Sequence, residues 1–254
     1  MAALISTRSN YRSHDESPTG TDPRGRILGE IRLLLAKESS IHVTFVDDSL
    51  VLEGEVDDIR RKRLAISATE QLAGHFLLVD HLRIKTAEHL TDVAVRDHLI
   101  QALLDEPLLK RCLIHSRLPQ VLQSHRKSLP EAQGTIVAAV SDGIVTLNGE
   151  VASLIQKWLT GVLAWWTPGC RDVVDELVNV PAQEDNDDAV TETVRLALEK
   201  DLFVNATKVQ VSTKDRVVTL RGMVPNEAMM QLAERDSWYV AGVKNVVNQL
   251  AVKW

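Results

Sequence analysis

Eight histidines, two cysteines and several paired carboxylates are the side chains of this 254-residue sequence with the means to act on a substrate or hold a metal. His75 and His81 stand six apart, which is no metal-ligand spacing, and His115 and His125 fall in a polar insert. Cys112 and Cys170 form no CxxC or Cys/His run that would hold zinc, and so low a cysteine content fits a reducing compartment. Asp47/Asp48, Asp57/Asp58 and Asp187/Asp188 lie in turns and at helix starts, where carboxylates accept backbone N–H groups. General acid–base work would need two carboxyls fixed across a pocket. No nucleophile elbow, phosphate loop, dinucleotide fingerprint, zincin helix or EF-hand loop occurs. The expectation is therefore no enzyme, no cofactor and no metal.

Binding is better served by the sequence. The net charge is −6 and 44% of residues are hydrophobic, which describes a globular chain and argues against nucleic acid as partner. Against that charge, residues 107–130 carry Lys110, Arg111, Arg117, Arg126 and Lys127 with no acid. The interleaved Leu108, Leu109, Leu113, Ile114, Leu118, Val121 and Leu122 fit one or two short amphipathic helices. A basic amphipathic segment reads as a membrane-surface or partner-binding element; the alternative is a loop whose leucines dock on their own domain. The helix "ASLIQKWLTGVLAWWTPG" offers a second surface. Its core stripe is Ile155, Leu159, Leu163 and Trp166, and beside it runs Trp158, Val162 and Trp165. Each buried aromatic covers about 150–250 Å², so this second stripe approaches the largest patch a monomer leaves in water, about 300–600 Å². Trp158, Val162 and Trp165, with Trp238, Met229, Met230 and Tyr239 as the opposing side, are the candidate interface to a neighbouring domain or a second chain.

These residues sit in a repeated frame. "SLVLEGEV" at 49–56 recurs as "IVTLNGEV" at 144–151 and "VVTLRGMV" at 217–224. Taking Gly54, Gly149 and Gly222 as anchors, the second glycines Gly74, Gly169 and Gly242 follow at one fixed spacing. Val79/Leu82, Val174/Leu177 and Val247/Leu250 then stand five and eight positions further on. Helical spacing precedes each pair of alternating strands and fills each interval between glycines. The predicted fold class is α+β: three tandem α-β-β-α-β modules, each a three-stranded mixed sheet packed on one side by two helices. The modules span 24–86, 88–181 (with the basic insert) and 187–254, behind a disordered tail over 1–23. The anchor glycines are structural, making room for a helix backbone or a bulge, and the second glycines suit left-handed helix caps. Asn179 and Asp236 place polar groups at predicted core positions.

The motifs "VLEGEV", "VTLNGEV" and "VTLRGMV", with "GVKNVVNQLAV" at 242–252 and the looser "GCRDVVDELVNV" and "GHFLLVDHLRI", resemble the BON domain family. The family's modules have this α-β-β-α-β order and occur in bacterial osmotic-stress proteins, haemolysin-like lipoproteins and some channel and secretin components. The resemblance implies a non-enzymatic binding protein associated with phospholipid or cell-envelope surfaces and linked to osmotic or general stress. No signal-peptide core and no run of about 18 apolar residues is present, so the expected place is cytoplasmic, peripheral at the inner face of the membrane. Two other readings stand beside this one. One is a protein–protein scaffold that homo-oligomerises through the aromatic helix; the other is a potassium or small-ligand sensor, as in cytoplasmic relatives that carry a further module absent here.

Overall fold

The structure, a computed structural model, describes residues 23–35, 40–126 and 131–253. The predicted tail over 1–22 and the candidate Lys127 lie outside them, while Pro23, assigned to the tail, opens the first helix. The first repeat comprises α1 (Pro23–Leu34), β1 (Ile41–Val46), β2 (Ser49–Val56), α2 (Ile59–Ala73) and β3 (Leu77–Ile84). The second comprises α3 (Asp92–Asp105), β4 (Cys112–Arg117), β5 (Leu122–Arg126), β6 (Gly134–Ser141), β7 (Ile144–Val151), α4 (Leu154–Trp166) and β8 (Asp172–Asn179). The third comprises α5 (Asp187–Lys200), β9 (Val209–Lys214), β10 (Val217–Val224), α6 (Glu227–Trp238) and β11 (Asn245–Val252). In each, an antiparallel hairpin is followed by a helical crossover to a parallel last strand. The α+β class and the repeated α-β-β-α-β order are therefore as the sequence predicts.

The insert is not. Residues 107–109 form a single 3₁₀ turn, and β4 and β5 extend the second sheet to five strands in the order β5-β4-β6-β7-β8. In "CLIHSR" the side chains of Cys112, Ile114 and Ser116 are buried and those between are not, a period of two. Parallel pairing of β4 with β6 imposes that period on leucines whose spacing also fits a helix.

The anchor glycines have a different cause from the one predicted. Gly54, Gly149 and Gly222 have φ of 129°, 119° and 128°. A Cβ there would lie 1.9, 2.1 and 2.0 Å from the carbonyl oxygens of Ser40, Thr135 and Lys208, just before or at the start of the adjoining strand. What crowds the glycine is thus a neighbouring strand's backbone, not a helix, and the ladders pass these points without a register shift. Gly74 (φ 63°) caps α2 at positive φ, but with ψ of −110° it is not a left-handed helical cap, and Gly169 (φ 82°) lies two residues past Thr167, which caps α4; Gly242 is not among the positive-φ residues and serves another purpose, described below.

Two polar devices recur. Asp92 accepts the N–H groups of Asp142 and Gly143 at 3.0 and 2.9 Å, and Asp187 those of Asp215 and Arg216 at 2.8 and 2.9 Å, fixing each first helix to its own hairpin turn. In the first repeat the same tie is made with opposite charge: Arg24 donates to the Asp47 carbonyl and pairs with Asp48. The last strands β3, β8 and β11 are sheet edges. In each, a side chain accepts the N–H two residues on: Asp80 from Leu82, Asp175 from Leu177 and Asn248 from Leu250. An edge strand whose own side chain takes its central free donor is a poor template for another strand.

Candidate functional site

The helices that follow the middle strands hold the repeats together. Arg63 and Trp158 occupy the same aligned position of α2 and α4, and both reach the loop after α6. Arg63 donates to the carbonyls of Val240 (2.6 Å) and Val243 (3.2 Å) and, at 3.4 Å, of Tyr239. A cation there complements the negative end of the α6 dipole. Burial, and after it the charge of Arg216, pulls the Arg63 guanidinium down to about 10, so it stays charged at neutral pH. Trp158 lies over Gly242 of the same loop: a Cβ on that glycine would sit 3.0 Å from the indole and 2.8 Å from Val190. Gly242 is the seat of the tryptophan.

Trp158, Val162 and Trp238 are 3%, 0% and 1% exposed in one core with Val190, Val194 and Val243 of the third repeat, and half-buried Trp165 packs beside Tyr239 with ring centroids 6.3 Å apart. The aromatic stripe is covered by the chain's own third repeat. Trp158 and Val162 are thereby out of reach of a second chain, while Trp165 stays half-buried.

The first and second repeats meet across a buried ionic knot. Lys62, 4% exposed, places Nζ 2.6 Å from the Leu82 carbonyl, 2.7 Å from Asp80 and 2.9 Å from Asp172, which is 5% exposed and also pairs with Arg83. The Ile84 N–H donates to the Arg171 carbonyl at 2.8 Å, and Arg171 pairs with Glu55 at 2.7 Å. Lys200 and buried Glu106, 2.7 Å apart, add a tie between the third and second repeats.

The four described basic candidates of the insert do not form one patch. Arg117 stands at the tip of the β4–β5 hairpin, opposite Leu122, whereas Lys110 and Arg111 stand at its base, about 20 Å away at the rise of a strand. Arg111 pairs with Glu131 at 2.6 Å. Arg126 turns inward and donates to the carbonyls of Leu104, Leu109 and Cys112 at 2.8, 2.5 and 3.1 Å, so it is a structural residue and not part of an anionic-surface site. Of the insert's interleaved apolar residues, the structure leaves Val121 and Leu122 at the hairpin tip 58% and 53% exposed, and Leu108 at the base 40% exposed.

Nothing among the described residues forms a catalytic constellation. His125 Nε2 lies 2.9 Å from the Ser116 hydroxyl, but Ser116 is fully buried, so no carbonyl can reach it. Burial pushes the Cys112 thiol up and the Cys170 thiol up to about 12, making both poor nucleophiles. No three His, Cys, Asp or Glu side chains converge as metal ligands among the described residues. The carbonyls after α6 that offer a potential cation nest hold the Arg63 guanidinium. Asn179, at the end of β8, is half-exposed and donates to the Pro181 carbonyl at 3.3 Å. Asp236 is buried, with Oδ2 unpartnered. Burial, then contact with the Asp201 carboxyl, pushes it up to about 8.

The fold is one of tandem α+β repeats. The BON domain family model matches residues 114–181 and 186–253, more than half of the chain, and the chain belongs to that family. It is similar to the osmotically-inducible protein Y of Escherichia coli (strain K12), 34% identical over 116 residues. That match covers 43% of this chain and 58% of the relative, so it spans little more than half of that protein. Two solved structures of CdsD, a structural protein of the type III secretion system of Chlamydia trachomatis, align at 15% and 16% identity. They cover 89% and 90% of this chain and 96% and 92% of their own, but at TM-scores of 0.25 and 0.24 they carry no argument. No helix among the described residues is long and apolar enough to cross a membrane.

Proposed function

We propose that the chain is an adaptor of three BON modules, over 24–86, 88–181 and 187–254, that binds anionic phospholipid surfaces through the β4–β5 hairpin of the second. The first repeat is then a diverged BON module, with the same element order and the same helix–turn tie made in inverted charge. The observation that carries the membrane reading is the hairpin tip, where Val121 and Leu122 stand exposed beside Arg117. An apolar side chain taken fully out of water contributes about 1.5–3 kcal/mol, and a basic residue near an anionic bilayer about 1 kcal/mol. A tip with both suits the boundary between headgroups and acyl chains, and Lys110 and Arg111 extend the basic surface toward the hairpin base. Similarity to an osmotically inducible protein supports a role in osmotic or general stress.

Flotation with phosphatidylglycerol-containing and purely phosphatidylcholine vesicles tests the reading. The wild-type chain floats with the anionic vesicles only, and less at high salt. Val121→Asp with Leu122→Asp abolishes flotation; Arg117→Glu weakens it and flattens its salt dependence. Absence of flotation, or equal flotation of the double variant, overturns the membrane reading and leaves a protein partner.

A further inference from the structure

A cleft of about 500 Å³ opens between the first and third repeats, where the start of α2 faces α6. Domain junctions are where small-molecule sites concentrate, and this one has needs that the protein does not meet. Its carboxylates are taken: Asp58 accepts the Arg61 N–H at 2.8 Å, and Glu234 is paired with Arg60 at 3.4 Å and with Asn248 at 3.2 Å. Arg235, on the cleft wall, makes no hydrogen bond or ion pair among the described residues. The charges lining the cleft balance, two acids against two arginines, and of these only Arg235 is left with no hydrogen-bonded or ion-paired partner among the described residues. Trp238, which also lines the cleft, is 1% exposed and its Nε1–H has no acceptor among the described residues. Buried indole N–H groups ordinarily find one, because leaving a donor unpaired away from water is costly.

The repeat supplies an independent observation. Gln231 is the third member of the aligned set whose other two, Arg63 and Trp158, are spent on the loop after α6. It is exposed and lines the cleft. The third repeat's docking position is the one with nothing docked on it.

The geometry points to a binding site in this cleft for an amphipathic anion, its carboxylate or phosphate held by Arg235 and its apolar body laid along Leu232 and Ala228. Such a ligand provides both the counter-ion and the acceptor that the site lacks. It lies on different elements from the β4–β5 hairpin and does not depend on that surface.

The test follows the indole N–H resonance of Trp238 in the full ¹⁵N-labelled chain, assigned by its disappearance in Trp238→Phe. Monomeric octyl phosphate is expected to move it saturably, with at least tenfold weaker binding in Arg235→Gln and unchanged binding in the Val121→Asp, Leu122→Asp variant. Dihexanoyl phosphatidylglycerol, titrated below micelle formation, separates the two sources of such an anion: the same shift assigns the site to a membrane lipid, and octyl phosphate alone assigns it to a free amphiphile. A Trp238 resonance that does not move, equal binding in Arg235→Gln, or an equal effect of inorganic phosphate overturns the proposal. Loss of vesicle flotation with an intact Trp238 response separates failure of the membrane reading from failure of this one.

Discussion

Asp236→Asn is expected to stabilise the protein above neutral pH and to do nothing in acid. Asp236 is 1% exposed on α6, one oxygen has no partner, and Asp201 presses a second carboxyl against it. Arg235 acts in the other direction and does not outweigh these effects. The folded-state value near 8 stands against 3.8 for a free carboxyl. Through that interval the unfolded chain has released the proton while the folded chain holds it, so stability falls as pH rises and levels off above about 8. At about 1.4 kcal/mol per pH unit, a shift of that size withdraws on the order of 5 kcal/mol between pH 4 and pH 8. Asparagine keeps the shape, cannot ionise, and offers Asp201 a donor. Urea denaturation of both proteins from pH 4.5 to 9 reads the difference: near zero at the acid end, several kcal/mol in favour of the variant at pH 8.5. Equal stability at pH 8.5, or a wild-type profile that rises with pH over this range, refutes the assignment of the cost to this carboxyl.

Two further outcomes follow from the contacts between repeats. Lys62→Met leaves Asp80 and buried Asp172 short of a cation, at a cost of about 3–5 kcal/mol; it should loosen the first repeat from the second, read as new protease cleavage between residues 85 and 91, and an unchanged digest would contradict it. Gly242→Ala drives a methyl group into Trp158 and Val190, at about 1–3 kcal/mol. Most of that should disappear when Trp158 is also cut to Val, and strictly additive effects in the double variant would show that the indole is not what the glycine accommodates.

Much of this molecule is legible in its letters. The alternation around Gly54, Gly149 and Gly222 and the fixed distance to the second glycine follow from local rules, because strand pleat and helix period act over a few residues. The stripe of Trp158, Val162 and Trp165 was also visible as a surface that water would not tolerate. The letters also offer Trp238, Met229, Met230 and Tyr239 as its opposing side, but whether these come from the same chain or a second one depends on how the repeats turn toward each other. The insert was misread because leucine spacing between 107 and 122 satisfies two periods, and only the free edge of β6, available to pair, selects the strand. Arg126 counted as a surface charge until three carbonyls from distant turns closed around it.

Sequence alone thus determined the repeat, its element order, the family resemblance and the absence of any catalytic signature, all of which are carried by residues close in the chain. Tertiary structure decided which charges remain in water, which glycine seats a tryptophan, why Asp236 holds its proton, and where a cleft with an unpaired Arg235 lies. Each of those depends on groups far apart in sequence and within a few ångströms in space, at distances where burial and charge outweigh local preference.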